Sequence, residues 1–272
     1  MKNAFSKLIC PICGNKLLVV ANSYVCKQNQ CFDIAKQGYC NLLPVNKKHS
    51  LLPGDNKLMI DARYNFLEKG YYQPLSDHIN KIFDKLFDKP ITILDAGCGY
   101  GYYSNNLYYH RGAKDNIQAV DISKFAVAKG AKFKHIDFYV SSVFDLPFED
   151  KSFDAIVNVF SPYANKEFGR VAKDNGYLII VYPATNHLIE LKEFLYQDNT
   201  VQNNKEVNFD NWTSLFIDRL TFQFELGSCS EVNNLFYMTP YCYTTDKESI
   251  EKLSNFDKKL ITADFYIKVF KM

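Results

Sequence analysis

Residues 91–121 read as strand, glycine-rich turn, helix, strand, and few folds accept that order. Ile91-Thr92-Ile93-Leu94-Asp95 runs straight into Ala96-Gly97-Cys98-Gly99-Tyr100-Gly101, a helix follows over about 102–109, and a second strand over 117–120 ends at Asp121. Glycines at the carboxyl edge of a strand let the backbone turn sharply and approach a ligand, and the helix behind them offers free amide donors. A G-x-G-x-G run alone also fits a dinucleotide dehydrogenase. Here Asp95 stands two residues before the first glycine, and Asp121 ends the next strand, where its carboxylate can accept both hydroxyls of a ribose. A fourth strand over 152–157 and a buried fifth over 177–182 continue the order of a doubly wound α/β sheet that binds its ligand at the carboxyl ends of its strands. Cys98 lies inside the turn with no base paired to it in sequence, so it is read as a small residue in a tight bend.

The N-terminus carries a different signal. Cys10-Pro11-Ile12-Cys13-Gly14 places two thiols two residues apart with a small residue behind them, and Cys26 and Cys31 complete C-x2-C-x12-C-x4-C. A short hairpin over 16–20 and 23–25 returns the second pair to the first. Four soft ligands with no open position suit a structural Zn2+ that helps fold a segment too small for its own core. The remaining cysteines, Cys40, Cys98, Cys229 and Cys242, fall outside the pattern and read as small core residues. Paired clusters of this kind, in a 272-residue chain with no leader-like start and no run of about 18–20 apolar residues, favour metal over disulfides and predict a cytoplasmic protein without a membrane span.

The formal net charge of +2 hides an asymmetry. Residues 1–50 hold seven lysines (Lys2, Lys7, Lys16, Lys27, Lys36, Lys47 and Lys48) against one acid, Asp33, a local net of +6, which leaves −4 for the other 222 residues. A basic module on a mildly acidic body points to a polyanionic partner. Tyr24, Phe32 and Tyr39, interleaved among the lysines, suit stacking on unpaired RNA bases, and Lys47 and Lys48 are candidates for phosphate contacts.

The D-x-G-x-G-x-G arrangement resembles motif I of the class I S-adenosylmethionine-dependent methyltransferases, and Asp145-Leu146-Pro147-Phe148 and Ser152-Phe153-Asp154 extend the likeness. The connecting segments are more specific. Phe32 to Tyr39, Asn41-Leu42-Leu43-Pro44, Pro53-Gly54-Asp55, Ala62-Arg63, Gly70-Tyr71-Tyr72-Gln73-Pro74-Leu75 and His187 to Lys192 together resemble the bacterial 23S rRNA (guanine-N1)-methyltransferases of the RlmA/RrmA type over nearly the whole chain. The resemblance implies a zinc-ribbon-like domain (1–36), a linker and helical connection (37–70) and a Rossmann-like class I methyltransferase domain (71–272). It also implies a homodimer acting on 23S rRNA.

By the same resemblance Tyr72, Gly99, Tyr100 and His187 contact S-adenosylmethionine, beside Asp95, Gly97, Gly101 and Asp121 of the motif itself. Tyr72 precedes a predicted amphipathic helix (Leu75, Ile79, Ile82, Phe83, Leu86), and His187 lies just beyond the fifth strand. His49, His78, His110 and His135 read as ordinary surface or core histidines. Family members often carry a histidine where this chain has Gln30. A neutral amide is a poor zinc ligand, so Cys31 is expected to take over as the fourth.

Guanine N1 carries a proton at neutral pH, so methylation there needs a base. The exit of the fourth strand, Asn158-Val159-Phe160-Ser161-Pro162-Tyr163, offers no carboxylate. Asn158, Ser161 and Tyr163 are expected to bond or stack on an extruded guanine, and no catalytic residue is assigned. Segment 186–220, which begins with a helix through Tyr196, is an insertion expected to wall the substrate site, with closing strands near 220–226 and 263–270. Two other functions fit parts of the sequence. A small-molecule, quinone-like methyltransferase shares the Asp145 to Asp154 region but leaves the basic cysteine module unexplained. A non-catalytic RNA-binding protein would not need Asp95, Asp121 and the three glycines intact.

Overall fold

The computed structural model describes residues 7–47, 54–196, 207–257 and 260–272. Lys2, Lys48, His49 and Pro53 lie outside them. Three short strands, β1 (Leu18–Val20), β2 (Ser23–Val25) and β3 (Cys31–Asp33), pair antiparallel into a small N-terminal sheet. After β4 (Cys40–Asn41) come α1 (Lys57–Leu67), N-capped by the Asn56 side chain, and α2 (Gln73–Leu86), which has proline in its first turn. The expected stripe of α2 is the buried one: Leu75, Ile79, Ile82 and Phe83.

The main sheet follows: β5 (Thr92–Ala96), α3 (Tyr102–His110), β6 (Asn116–Asp121), α4 (Lys124–Gly130), β7 (Ile136–Val140), β8 (Phe153–Val159), α5 (Asn165–Val171), β9 (Ala172–Pro183) and α6 (Ile189–Leu195). The chain ends with β10 (Thr213–Glu225), three helices α7 (Cys229–Tyr237), α8 (Tyr241–Thr244) and α9 (Lys247–Lys252), and β11 (Leu260–Lys271). Eight strands line up as β10-β11-β9-β8-β5-β6-β7-β4, with β4 to β9 parallel and β11 antiparallel to both of its neighbours. This is the class I methyltransferase sheet with one extra edge strand, β4. Strand order reverses between β5 and β8, so their carboxyl ends part there and open the crevice where such sheets bind ligands.

Apolar runs bury both faces of the central strands, as parallel strands require. Ile93, Ile117, Ala119 and Ile179 face α2 and the C-terminal helices, whereas Leu94, Ala96, Val120, Ile156 and Ile180 face the other way. The second face also contains Leu8, Leu17, Tyr24 and Leu42, so the N-terminal module shares a core with the body. Backbone pairing reinforces this union: Leu8 bridges Phe148, the Ile9 amide donates to the Pro147 carbonyl (2.9 Å), and the Leu42 amide donates to Val140 (2.9 Å). Within the stretch expected as a connection, β4 extends the main sheet and α1 packs on α7.

Between β10 and β11, where no helix is expected from the sequence, stand α7, α8 and α9. The signals of this insertion are local ones: the Ser228 side chain caps α7 by accepting from the Glu231 amide, Glu231 accepts from the Gly227 amide, and Val232, Leu235 and Phe236 form an apolar face. Lys69, just past α1, pairs with Glu231 and ties the two helices together. Among the described residues no helix is long and apolar enough to cross a membrane.

Candidate active site

At the carboxyl ends of β5 and β6 the glycine turn is fixed by the protein itself. The Gly97 and Cys98 amides both donate to the Val120 carbonyl (2.8 and 3.0 Å), and the Gly99 amide donates to Asp121 Oδ2 (2.8 Å). Two of the glycines are sterically required. At Gly97 (φ +83°) a Cβ would stand 1.9 Å from Ser161 Oγ, and at Gly101 (φ +82°) it would stand 2.7 Å from the Phe138 ring.

Two carboxylates converge on this turn. Asp95 is 3% exposed and accepts from Ser104 Oγ at 2.5 Å. Burial, opposed by that hydrogen bond and reinforced by the nearby Asp121, pushes its carboxyl up to about 7. Asp121 is also raised by burial, although the Ser123 and Gly99 amides favour its charged form. Cys98 has no activating partner: burial and then the two acids push its thiol well up, consistent with a small turn residue.

The turn opens onto a cavity of about 740 Å³. Of the eight residues expected to hold the methyl donor, Tyr72, Asp95, Gly97, Gly99, Tyr100, Asp121 and His187 line it. Gly101 is not among the lining residues; it is the N-cap of α3. Tyr100 turns its ring into the core and its hydroxyl donates to Glu68 (3.2 Å). Tyr72 is buried edge-on against Phe66 and Phe265. The Asp264 amide donates to His187 Nδ1 (3.3 Å), which leaves the imidazole proton on Nε2, 3.5 Å from the Tyr72 hydroxyl. Burial, then the Lys192 charge, lowers the His187 pKa to about 3, so the ring is a neutral donor to Tyr72. Tyr72 can in turn donate its own O–H to a ligand.

A second set of lining residues is uncharged and, apart from Ser161, aromatic: Phe144, Phe160, Ser161, Tyr163, Tyr241 and Tyr243. Phe160 holds a left-handed φ of +54° and is 43% exposed, a conformation that turns a large ring outward at the exit of β8. Asn158 differs from expectation. It is fully buried, its amide donates to the carbonyls of Ala96 (2.9 Å) and Pro162 (3.3 Å), and it fastens the β8 exit to β5 instead of lining the cavity. Tyr241 and Tyr243 come from the α7–α9 insertion.

In the N-terminal module the sulfur atoms of Cys10, Cys13 and Cys26 lie within 4.8 Å of one another, and Cys13 and Cys26 are 3.6 Å apart. That separation is far beyond a disulfide and close to the edge of about 3.8 Å that Zn–S bonds of about 2.3 Å give a tetrahedron. The Asn15 amide donates to Cys13 Sγ (3.2 Å), the main reason its thiol is lowered to about 7. The three thiols therefore fit zinc. Cys31 is not brought to them; it is exposed at the start of β3, opposite Val25. The Cys26 amide donates to the Gln30 carbonyl (3.1 Å) and the Asn29 amide to the Cys26 carbonyl (2.9 Å), which closes the turn that leads into β3.

Of the module's aromatics, Tyr24 and Tyr39 are buried, Tyr24 against Tyr139 (6.3 Å between centroids), so neither is placed to stack on RNA. Lys16, Lys27 and Lys36 are exposed. Lys47 pairs with Asp145 (2.6 Å). Of the described histidines expected to be ordinary, His78 and His110 pair with Asp218 and Asp84, and His135 stacks on Tyr108.

Known proteins share both halves. The family model of the RlmA N-terminal zinc ribbon matches residues 8–51, and a methyltransferase-domain model matches 87–219. A Bacillus subtilis protein, YxjB, named as a 23S rRNA (guanine-N1)-methyltransferase, is 31% identical over 97% of each chain. The Streptomyces fradiae 23S rRNA (guanine(748)-N1)-methyltransferase is 30% identical over 71% of this chain and 69% of its own. The glycine turn with its two acids, the three-cysteine ribbon on the edge of the same sheet and this full-length likeness agree: the chain belongs to the family of 23S rRNA (guanine-N1)-methyltransferases.

Proposed function

We propose that this enzyme transfers a methyl group from S-adenosylmethionine to N1 of a guanine in a 23S rRNA hairpin, and that the zinc module docks the hairpin beside the cavity. The supporting observation is positional. The module joins the body through Leu8, Ile9 and Lys7 on the 147–149 segment, and the same β7–β8 connection supplies Ser142, Val143 and Phe144 to the cavity wall. RNA held on the exposed Lys16, Lys27 and Lys36 would thus lie near the opening of the cleft. Family resemblance is the support for the homodimer and for the cytoplasmic setting.

The donor supplies a sulfonium-bound methyl for in-line displacement. The chain's own residues bind, orient and exclude water. Asp121 suits ribose hydroxyls, and ionised Asp95 suits a cationic group. Tyr72, oriented by His187, offers a hydroxyl donor. Phe144, Phe160 and Tyr163 offer faces on which an extruded base can stack, so alignment of the base is the main contribution of this wall. Among the described residues the lining carboxylates are Asp55, Asp95 and Asp121, all beside the glycine turn or Arg63. Incubating the protein with labelled S-adenosylmethionine and unmodified 23S rRNA, then mapping the label, tests the reading. Label at guanine N1 supports it; label only in small molecules, or RNA binding without label, rejects it.

A further inference from the structure

The charges lining the cavity are unbalanced in a way that matters for an amino-acid ligand. Asp55, Asp95 and Asp121 contribute three carboxylates, His187 is neutral, and among the described lining residues Arg63 supplies the single cationic side chain. The adenosyl donor carries ribose hydroxyls and an ammonium, which carboxylates can accept, and one carboxylate, which three acids repel. That carboxylate needs a cation within the same cavity.

Arg63 has the geometry for it. It projects from α1 beside the glycine turn, with Nη1 3.9 Å from where a Cβ on Gly99 would be. Its Nη1 donates to Asp55 Oδ2 (2.5 Å) and its Nη2 to the Met238 carbonyl (2.9 Å), so the fork is held from two sides. A guanidinium has five N–H donors, and these bonds commit two of them. Its side chain is 28% exposed, enough to meet a ligand yet sheltered from full solvent screening. The Met238 bond also links α1 to the α7–α8 junction, whose Thr239, Pro240 and Tyr241 line the cavity.

We propose that Arg63 binds the carboxylate at the amino-acid end of the methyl donor, with Asp55 and the Met238 carbonyl as positioning groups that keep its guanidinium aimed at the glycine turn. This rests on the cavity being the S-adenosylmethionine site. A pre-oriented fork meeting a carboxylate forms charge-assisted hydrogen bonds of the strong class, so its loss should weaken binding roughly 10- to 100-fold.

Calorimetric titration separates the possibilities without turnover. S-adenosylhomocysteine keeps the carboxylate, its decarboxylated analogue keeps only the amine, and 5′-methylthioadenosine keeps neither. For the wild type we expect S-adenosylhomocysteine to bind at least about tenfold more tightly than the decarboxylated analogue. Arg63→Met should erase that difference and leave 5′-methylthioadenosine affinity unchanged, and Arg63→Lys should restore part of it. Equal binding of S-adenosylhomocysteine by wild type and Arg63→Met overturns the assignment, as does an equal loss for 5′-methylthioadenosine. If Arg63→Met fails to fold, the wild-type comparison of the two homocysteine-derived ligands still decides: equal affinities overturn it. A wild type that binds none of the three removes the donor site itself and the Arg63 assignment with it.

Discussion

Two tight turns organise this molecule, and they are held by opposite means. The glycine turn at 97–101 is fixed by protein groups: amides donating to Val120 and Asp121, and Phe138 and Ser161 filling the spaces where side chains would be. The cysteine turn at 10–14 has the Cys10 carbonyl accepting from Gly14, while its converging thiols are left within 4.8 Å of one another with weak hydrogen bonds among them. The first turn is built before its ligand arrives; the second is completed by its ion. The difference follows from size, since the body buries both faces of an eight-stranded sheet while the module's own sheet has three strands of three residues.

The largest expected effect comes from stripping the metal. Structural zinc in small modules contributes apparent free energies of about 10 kcal/mol, so chelation should unfold the ribbon and expose the part of the body it covers, Tyr139 and Phe148 included. Hydrogen exchange should show protection lost over 8–43 and along β7, with β5 and β8 still protected. Uniform protection after complete zinc removal would show that the shared core alone holds the module and would dissolve the contrast. Next in size is Gly101→Ala, which places a methyl group against the Phe138 ring at a left-handed φ; a loss of about 3 kcal/mol in denaturant melts is expected. An unchanged midpoint would mean that this turn is less tightly fixed than its packing indicates.

The same contrast explains how much could be read from sequence. The glycine turn, α2 and the central strands were legible because their signals are local: glycine spacing, a helical apolar stripe, buried apolar runs. Of the four cysteines read as ligands, Cys10, Cys13 and Cys26 are brought together and Cys31 is not, because its position depends on how the hairpin closes. What escaped depends on distant partners. Nothing near Leu8 announces its bridge to Phe148, and Cys40-Asn41 is too short to read as a strand until Val140 lies beside it. Asn158 resembled a substrate contact because its neighbours line the cavity; its partners, the carbonyls of Ala96 and Pro162, exist only once β5 and β8 are adjacent. Tyr24 looked like a stacking platform until Tyr139 buried it.

A smaller effect probes the acid beside the glycine turn. Burial pushes the Asp95 carboxyl up to about 7, well above an unfolded carboxyl, so the folded state holds a proton that the unfolded state gives up between about pH 4 and 7. Its contribution to stability is therefore greatest at low pH and falls as pH rises through 7. A donor bearing an ammonium favours the ionised form, so binding below pH 7 releases a proton. S-adenosylhomocysteine affinity should rise by up to about tenfold per pH unit below 7 and level off above it. Asp95→Asn should flatten that slope; a slope that survives the substitution assigns the proton elsewhere.

The smallest expected effect is the most pointed test of the cysteine turn. If Cys10, Cys13 and Cys26 form the thiolate set, Cys31→Ser changes an exposed side chain outside the cluster, and stability should move by less than about 0.5 kcal/mol, with zinc stoichiometry retained. Cys13→Ser, by contrast, should lose the metal. A Cys31→Ser variant that also loses zinc would mean that the ion rearranges the turn before β3 and brings Cys31 to the other three thiols.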